Sequence, residues 1–75
     1  MTKEDYLSSP VVKRSVTIAG HPTSVSVEQP FWDALSAAAK KQGVTMNALI
    51  SQIDEKRSVN LSSAIRLYVL HTLQR

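Results

Sequence analysis

The sequence has no cysteine, only two glycines, and four aromatic residues (one Phe, one Trp and two Tyr) among its 75 residues. The absence of cysteine excludes a disulfide framework and a thiolate metal site. No apolar run approaches the ~20 residues of a membrane span. The N-terminus also lacks the basic-then-apolar order of a signal peptide. These absences predict a small cytoplasmic domain that is stabilised by packing alone.

The length and the charge limit what such a domain can be. A chain this short buries only roughly 60–65% of the surface that it exposes when unfolded. Without disulfides or metals, the natural way to enlarge its core is to oligomerise. Nine Lys and Arg against six Asp and Glu give a formal charge of +3. This mild excess is compatible with an anionic partner but does not require one.

Residues 1–11 are predicted to form a flexible tail, in which only Tyr6 and Leu7 could dock on a partner. Two stretches with the composition or the alternation of β-strands follow the tail. Residues 11–18 are typical of a strand, and residues 19–22 form a turn signal containing a glycine. The alternation over residues 23–27 completes the pattern of a β-hairpin. An isolated hairpin is only marginally stable in water, so it needs a helical layer or more strands.

Three helices are predicted after the hairpin, within a folded domain that spans residues 12–75. The first runs from about Gln29 to Gln42, because Pro30 suits its first turn and Gly43 its end. Thr45 is a suitable cap for the second helix. The third helix begins near Asn60 or Ser62 and runs to about Gln74.

The third helix is apolar almost all the way round. Such a helix must be buried on most sides, and a 75-residue monomer has little other mass to bury it. We therefore expect a dimer or a higher oligomer. Arg66 interrupts the apolar helix, and it is predicted to pair with Asp33 or Asp54.

Exposed polar positions and apolar positions together carry a family resemblance. They are Lys13-Arg14-Ser15-Val16-Thr17-Ile18-Ala19-Gly20-His21, Thr23-Ser24-Val25-Ser26-Val27-Glu28, Phe31-Trp32, Gly43-Val44-Thr45-Met46-Asn47-Ala48-Leu49-Ile50, Ile53-Asp54 and Asn60-Leu61-Ser62-Ser63-Ala64-Ile65-Arg66. This pattern resembles the ribbon-helix-helix family of DNA-binding regulators, and more closely its short bacterial members. The resemblance covers roughly residues 12 to 72.

The resemblance implies an α+β fold that is mainly α. It has an N-terminal β-hairpin or ribbon, two core helices, an additional C-terminal helix and an intertwined homodimer. In such dimers the ribbon strand, here residues 23–27, pairs antiparallel with its mate and enters the major groove, which admits a two-stranded ribbon. The N-terminal amides of the second helix hold a backbone phosphate.

Carried onto this chain, the resemblance implies three sets of residues. The DNA-binding ribbon and its flanks are Lys13, Arg14, Ser15, Thr17, His21, Thr23, Ser24 and Ser26. The phosphate clamp is Thr45, Met46 and Asn47. The dimer core is Val25, Val27, Phe31, Trp32, Leu35, Leu49, Ile50, Ile53, Leu61, Ile65, Tyr68 and Val69.

Simpler interpretations stand beside these roles. Lys13 and Arg14 are also what a solubilised strand edge carries, and His21 is also a turn residue. Well-studied members place long amide or basic side chains on the outward ribbon positions, whereas this chain has Pro22, Ser24 and Ser26. Serine discriminates poorly between bases.

Two functions from different classes follow. The first is a homodimeric DNA-binding protein, a transcriptional regulator, which the resemblance and the basic strand favour. The alternative is a protein-interaction or oligomerisation module, a dimer or tetramer, with the same fold and no sequence-specific DNA binding. The serine-rich ribbon and the modest charge favour that alternative.

Catalysis has little support in the sequence. It has no Cys nucleophile, no Ser/His/acid set on converging elements, and no glycine-rich phosphate loop. The two histidines and the scattered carboxylates lack a recognisable metal-site spacing. We expect no enzyme, no metal, no cofactor, no membrane partner and no small-molecule substrate.

Overall fold

The computed structural model describes residues 5–74 of the chain, with side chains from Leu7 onward. In this range a 3₁₀ turn at Asp5–Ser8 precedes two strands and three helices. They are β1 (Val11–Ile18), β2 (His21–Glu28), α1 (Gln29–Gln42), α2 (Met46–Lys56) and α3 (Leu61–Leu73). The predicted α+β architecture, mainly α and with an N-terminal hairpin, is confirmed.

The predicted tail lies partly outside the described residues. Within them, Leu7 is exposed in the 3₁₀ turn, and Val11 is already the first residue of β1. The side chain of Tyr6, for which docking on a partner is predicted, lies outside the described residues. The flexibility of this segment stays a prediction.

The two strands form one antiparallel hairpin along their full length, from the pair Val11–Glu28 to the pair Ile18–His21. Between them, Ala19 has φ 53° and Gly20 has φ 81°. Positive φ at both central residues is the mark of a type I′ turn, whose twist matches that of the flanking strands. The turn therefore has two residues instead of the four expected, and β2 begins at His21.

One face of the hairpin packs on the helices. Val25 and Val27 are fully buried, and their neighbour on β1, Val16, is almost so. Successive side chains of a strand point to opposite faces, so the alternate residues, such as Lys13 and Ser15, are exposed. The alternation along the two strands therefore separates a buried face from an exposed face.

The helix boundaries follow the predicted signals at α1. Pro30 lies in its first turn, and Gly43 ends it in the left-handed region at φ 72°. The N–H of Val44 then donates to the carbonyl of Ala39 at 3.0 Å, as in a Schellman motif.

The two later helices begin at capping side chains. The Oγ1 of Thr45 accepts from the N–H of Ala48 at 3.0 Å at the start of α2. The Oδ1 of Asn60 accepts from the N–H of Ser63 at 2.9 Å at the start of α3. Each cap satisfies a backbone donor that the helix itself leaves unpaired.

A single chain closes a core between the hairpin and the three helices. The largest side chains that are fully buried come from β2 and all three helices: Val25, Val27, Leu35, Leu49, Ile50, Ile65 and Val69. α3 lies against β2, α1 and α2 of its own chain. Its opposite side, however, exposes Leu67 (57%), Leu70 (50%) and Leu73 (73%). The chain therefore buries α3 on one side only.

Val27→Asp is expected to destabilise the fold by about 3 kcal/mol or more, because it places an unpaired carboxylate in a fully buried position. Thermal unfolding followed by circular dichroism checks this. Val11→Asp is the matched control, since Val11 is a 55% exposed valine in the same hairpin. An equal loss of stability in both variants would contradict the assignment of faces.

Candidate nucleic-acid interface

The hairpin turns one polar face away from the helices, and we call it the outer face. In the register of the hairpin, Lys13 lies opposite Ser26, and Ser15 lies opposite Ser24. Lys13 is its one cation and Glu28 its one acid. The outer face consists of Val11, Lys13, Ser15 and Thr17 on β1 and of Pro22, Ser24, Ser26 and Glu28 on β2.

Arg66 of α3 reaches over the edge of β2 to the acid of this face. Its Nε donates to Oε1 of Glu28 at 2.9 Å, and its guanidinium lies 5.9 Å from the centre of the Phe31 ring. The hydrogen bond from Arg66, together with one from the Glu28 backbone, lowers the pKa of the Glu28 carboxyl below its ordinary value of 4.5. The carboxylate of Glu28 therefore stays ionised, and the positive charge of Arg66 balances it. Lys13 is left as the unpaired charge of the outer face.

The predicted partners of Arg66 were wrong. Asp54 instead pairs with Arg57, three residues further along the chain, at 2.7 Å. Asp33 accepts a hydrogen bond from Nε2 of Gln29 at 2.8 Å. Both acids have a partner close in sequence, whereas Glu28 reaches Arg66 only because α3 packs on β2.

Arg14 lies on the helix-facing side of β1, not on the outer face with Lys13. Its guanidinium lies 4.6 Å from the centre of the Trp32 ring and donates to Oε1 of Gln29. Its Nε is buried without a hydrogen-bond acceptor among the described residues. The stacked geometry is that of a cation–π contact, so Arg14 holds β1 to α1.

His21 and Thr23 lie at the turn end of β2, both exposed. With Pro22 they line a groove of about 270 Å³ that also contacts the end of α2, at Asp54 and Arg57. His21 and Thr23 are therefore flanked by the Asp54–Arg57 ion pair and do not share the outer face with Lys13.

The three predicted clamp residues begin α2. Thr45 caps the helix, Met46 packs partly against the core, and Asn47 is exposed. The start of α3 also contacts the ribbon. There the Oγ of Ser62 accepts from the N–H of Ser26 at 3.0 Å.

Sequence reasoning missed Ser62 and Glu28 as residues of this region. Ser62 and Arg66 stand four residues apart, so they share one face of α3, and this spacing was the available signal. Their partners, Ser26 and Glu28, lie 36 and 38 residues away in the chain. Contacts between residues so far apart in the chain are visible only in the folded structure.

Neither a metal-binding cluster nor a membrane-spanning helix is present among the described residues. Between residues 5 and 74 no group of three or more His, Cys, Asp or Glu side chains is placed to hold a metal ion. No helix in that range has the length and apolar character needed to cross a bilayer.

A two-stranded antiparallel ribbon with a polar outer face, followed directly by packed helices, defines a ribbon-helix-helix architecture. The sequence matches the family described as "Ribbon-helix-helix domain" over residues 11–73, and the chain belongs to that family. The resemblance seen in the sequence is thereby confirmed.

The structure is similar to that of an uncharacterized protein from Bordetella pertussis Tohama I. The TM-score is 0.75 at 30% identity, over 88% of this chain and 58% of the other. The chain thus spans less than two thirds of that neighbour. No curated protein matches the sequence significantly.

The Glu28–Arg66 pair predicts a dependence of stability on acid pH. Because the folded-state pKa of Glu28 is lowered, the pair stabilises the fold above about pH 4.5, the ordinary value. That stabilisation is lost as the pH falls through the lowered folded value. Urea unfolding midpoints measured from pH 6 down to about pH 3 check this. Glu28→Gln is expected to flatten this part of the profile, whereas Glu55→Gln, which alters an exposed carboxyl of α2, is not.

Proposed function

We propose that the protein is a homodimeric DNA-binding regulator of a bacterial cytoplasm and that the outer face of its hairpin contacts duplex DNA. Membership of a family whose members are generally DNA-binding regulators supports this. The observation that carries it is the chemistry of the outer face. Lys13 stands among the hydroxyls of Ser15, Thr17, Ser24 and Ser26, and the one carboxylate there is paired with Arg66.

The same chemistry indicates contacts to the DNA backbone more than to bases. Hydroxyl groups both donate and accept hydrogen bonds, so they bind phosphates and either base type with little discrimination. We therefore propose a regulator with weak sequence preference.

The start of α2 adds a second contact in this proposal. The N–H groups of Met46 and Asn47 have no partner within the helix, as in the first turn of any helix. Together with the side chain of Asn47, they would hold a phosphate oxygen after the Thr45 cap. Arg14 would act indirectly, by stacking on Trp32 and positioning the strand that carries Lys13.

The homodimer is supported by the hairpin, whose two strands form the whole sheet among the described residues, so that one chain leaves a sheet edge without a partner strand. Most of the predicted dimer-core residues are buried within their own chain, among them Leu35 and Leu49. The intertwined arrangement stays a prediction.

Lys13→Ala is expected to weaken binding to duplex DNA and to lower its dependence on salt. Removing one phosphate contact reduces the slope of log K against log salt by about 0.9, so two Lys13 side chains in a dimer account for about 1.8. Fluorescence anisotropy with a labelled duplex at several salt concentrations measures this. Lys40→Ala is the control, because it removes the same charge from the exposed C-terminal turn of α1. Equal effects on affinity in both variants would exclude the outer face as the binding surface.

A second candidate function, a protein-interaction or oligomerisation module, is favoured by one specific observation. A groove of about 330 Å³ runs between the end of α2 and α3, and its apolar lining includes Ile53, Val59, Ala64 and Leu67. The exposed leucines of α3 continue this apolar surface. Such a surface suits a second dimer or another apolar protein segment.

Leu67→Glu separates the two functions. Leu67 is not part of the outer face, so we expect the variant to keep its duplex affinity within about twofold while any assembly beyond the dimer is lost. Anisotropy and sedimentation velocity measure the two properties. Gln52→Glu, which adds the same charge to an exposed position of α2, is the control. Absence of duplex affinity in every variant and in the parent protein would favour the interaction module.

A further inference from the structure

The two edges of the hairpin differ in how their backbone groups are used. In a hairpin with a two-residue turn, the residues that flank the turn, here Ile18 and His21, exchange hydrogen bonds with each other. Hydrogen-bonded and non-hydrogen-bonded pairs alternate along an antiparallel ladder. The backbone groups of Val11, Lys13, Ser15 and Thr17 therefore point out from the free edge of β1, and those of Pro22, Ser24, Ser26 and Glu28 from the free edge of β2.

The free edge of β2 is largely closed. Pro22 has no N–H to offer. At Ser26, the N–H donates to Oγ of Ser62 at 3.0 Å, and the carbonyl accepts from Arg66 at 3.4 Å. In β2, this leaves Ser24 as the one central position with both backbone groups available. A further strand could not pair there without breaking the contacts to α3.

The free edge of β1 is open. Among the described residues, no side chain and no other strand bonds to the outward backbone groups of Lys13, Ser15 or Thr17. Their side chains are exposed as well. An eight-residue edge with unpaired donors and acceptors is a template for another strand.

We propose that the two chains of the homodimer pair antiparallel through their β1 strands, with the twofold axis at Ser15. The sheet would then have four strands, with the two β1 strands at its centre. This inference rests on the proposed homodimer and assigns its interface. It also replaces the expectation that residues 23–27 of β2 form the intermolecular ribbon.

The charges of β1 exclude two registers, and its length favours an axis at Ser15, because an axis at Val12 or Val16 would pair fewer residues of Val11–Ile18. In each hydrogen-bonded pair both residues must point their backbone groups across the edge. The residues of β1 that do so are spaced two apart, so the axis passes through a residue of β1 and not between two residues. An axis at Lys13 or at Arg14 would place like charges directly opposite, which is destabilising. An axis at Ser15 places Lys13 opposite the partner's Thr17 and Arg14 opposite the partner's Val16.

This register also deepens the proposed DNA contact. The two Lys13 side chains would lie on the two central strands, four residues apart along the strand direction, or about 14 Å. The hydroxyls of both Ser15 residues would lie between them, and each Thr17 would lie beside the partner's Lys13. The twofold-related strands β1, not the two strands of one hairpin, would then form the centre of the DNA-facing surface.

Proline substitution tests the edge directly. Ser15→Pro removes an N–H that points to the free edge of β1, without removing a bond of the hairpin. We expect the dimer dissociation constant, measured by sedimentation equilibrium, to rise at least tenfold. Ser24→Pro is the matched control, because Ser24 is the exposed cross-strand partner of Ser15 and faces the other edge. It should leave the dissociation constant unchanged, and a reversed result would overturn the proposal.

Cysteine cross-linking provides an answer even where a proline variant unfolds. The chain has no cysteine, so Ser15→Cys introduces a single thiol. Two opposed residues of a hydrogen-bonded pair have Cα atoms about 5.5 Å apart, within the roughly 4.4–6.8 Å that a disulfide spans. Mild oxidation should link Ser15→Cys chains into dimers and leave Ser24→Cys chains unlinked.

The outcomes separate this inference from the proposed function. Linkage of Ser24→Cys alone, or of neither variant in a protein that sediments as a dimer, overturns the β1 interface and leaves the homodimer standing. A parent protein that sediments as a monomer at micromolar concentration overturns both. Linkage of Ser15→Cys together with the effect of Ser15→Pro supports the β1 interface.

Discussion

The packing of α3 against β2 is the interaction on which the rest of the molecule depends. An eight-residue hairpin strand has little stability of its own. The helices cover Val25 and Val27 completely, and this burial supplies the hydrophobic free energy that keeps the ribbon formed. The same helix adds polar contacts through Ser62 and Arg66 at the margin of the strand. One helix therefore both supports the hairpin and occupies one of its edges.

This arrangement leaves the ribbon with a definite chemical character. The two valines of β2 point to the helices, so the outer face consists mainly of hydroxyls and Lys13, together with Val11, Pro22 and the paired Glu28. Such a surface suits an anionic backbone better than it suits a particular base sequence. The apolar surface of α3 lies elsewhere on the molecule, so DNA contact and protein assembly need not compete for the same residues.

Much of the fold could be predicted from local signals. The proline, glycine, threonine and asparagine at the helix ends act on backbone groups within a few residues, so the helix boundaries were predicted almost to the residue. The turn was less predictable, because Ala19 takes a positive φ that alanine seldom adopts. The partner of Arg66 was missed because two other acids, Asp33 and Asp54, had suitable charge but were already engaged.

The sequence by itself determined the element order, the helix caps, and which strand residues face the core, because periodicity and capping are local properties. Only the tertiary structure decided the environment of each charged side chain. Arg14 was grouped with Lys13 as a DNA-binding residue, yet it lies on the helix-facing side of β1, and its contact with Trp32 depends on how α1 crosses β1. The closure of the β2 edge by Ser62 likewise depends on the place of α3. These contacts join residues far apart in the chain, and their geometry exists only once the core has formed.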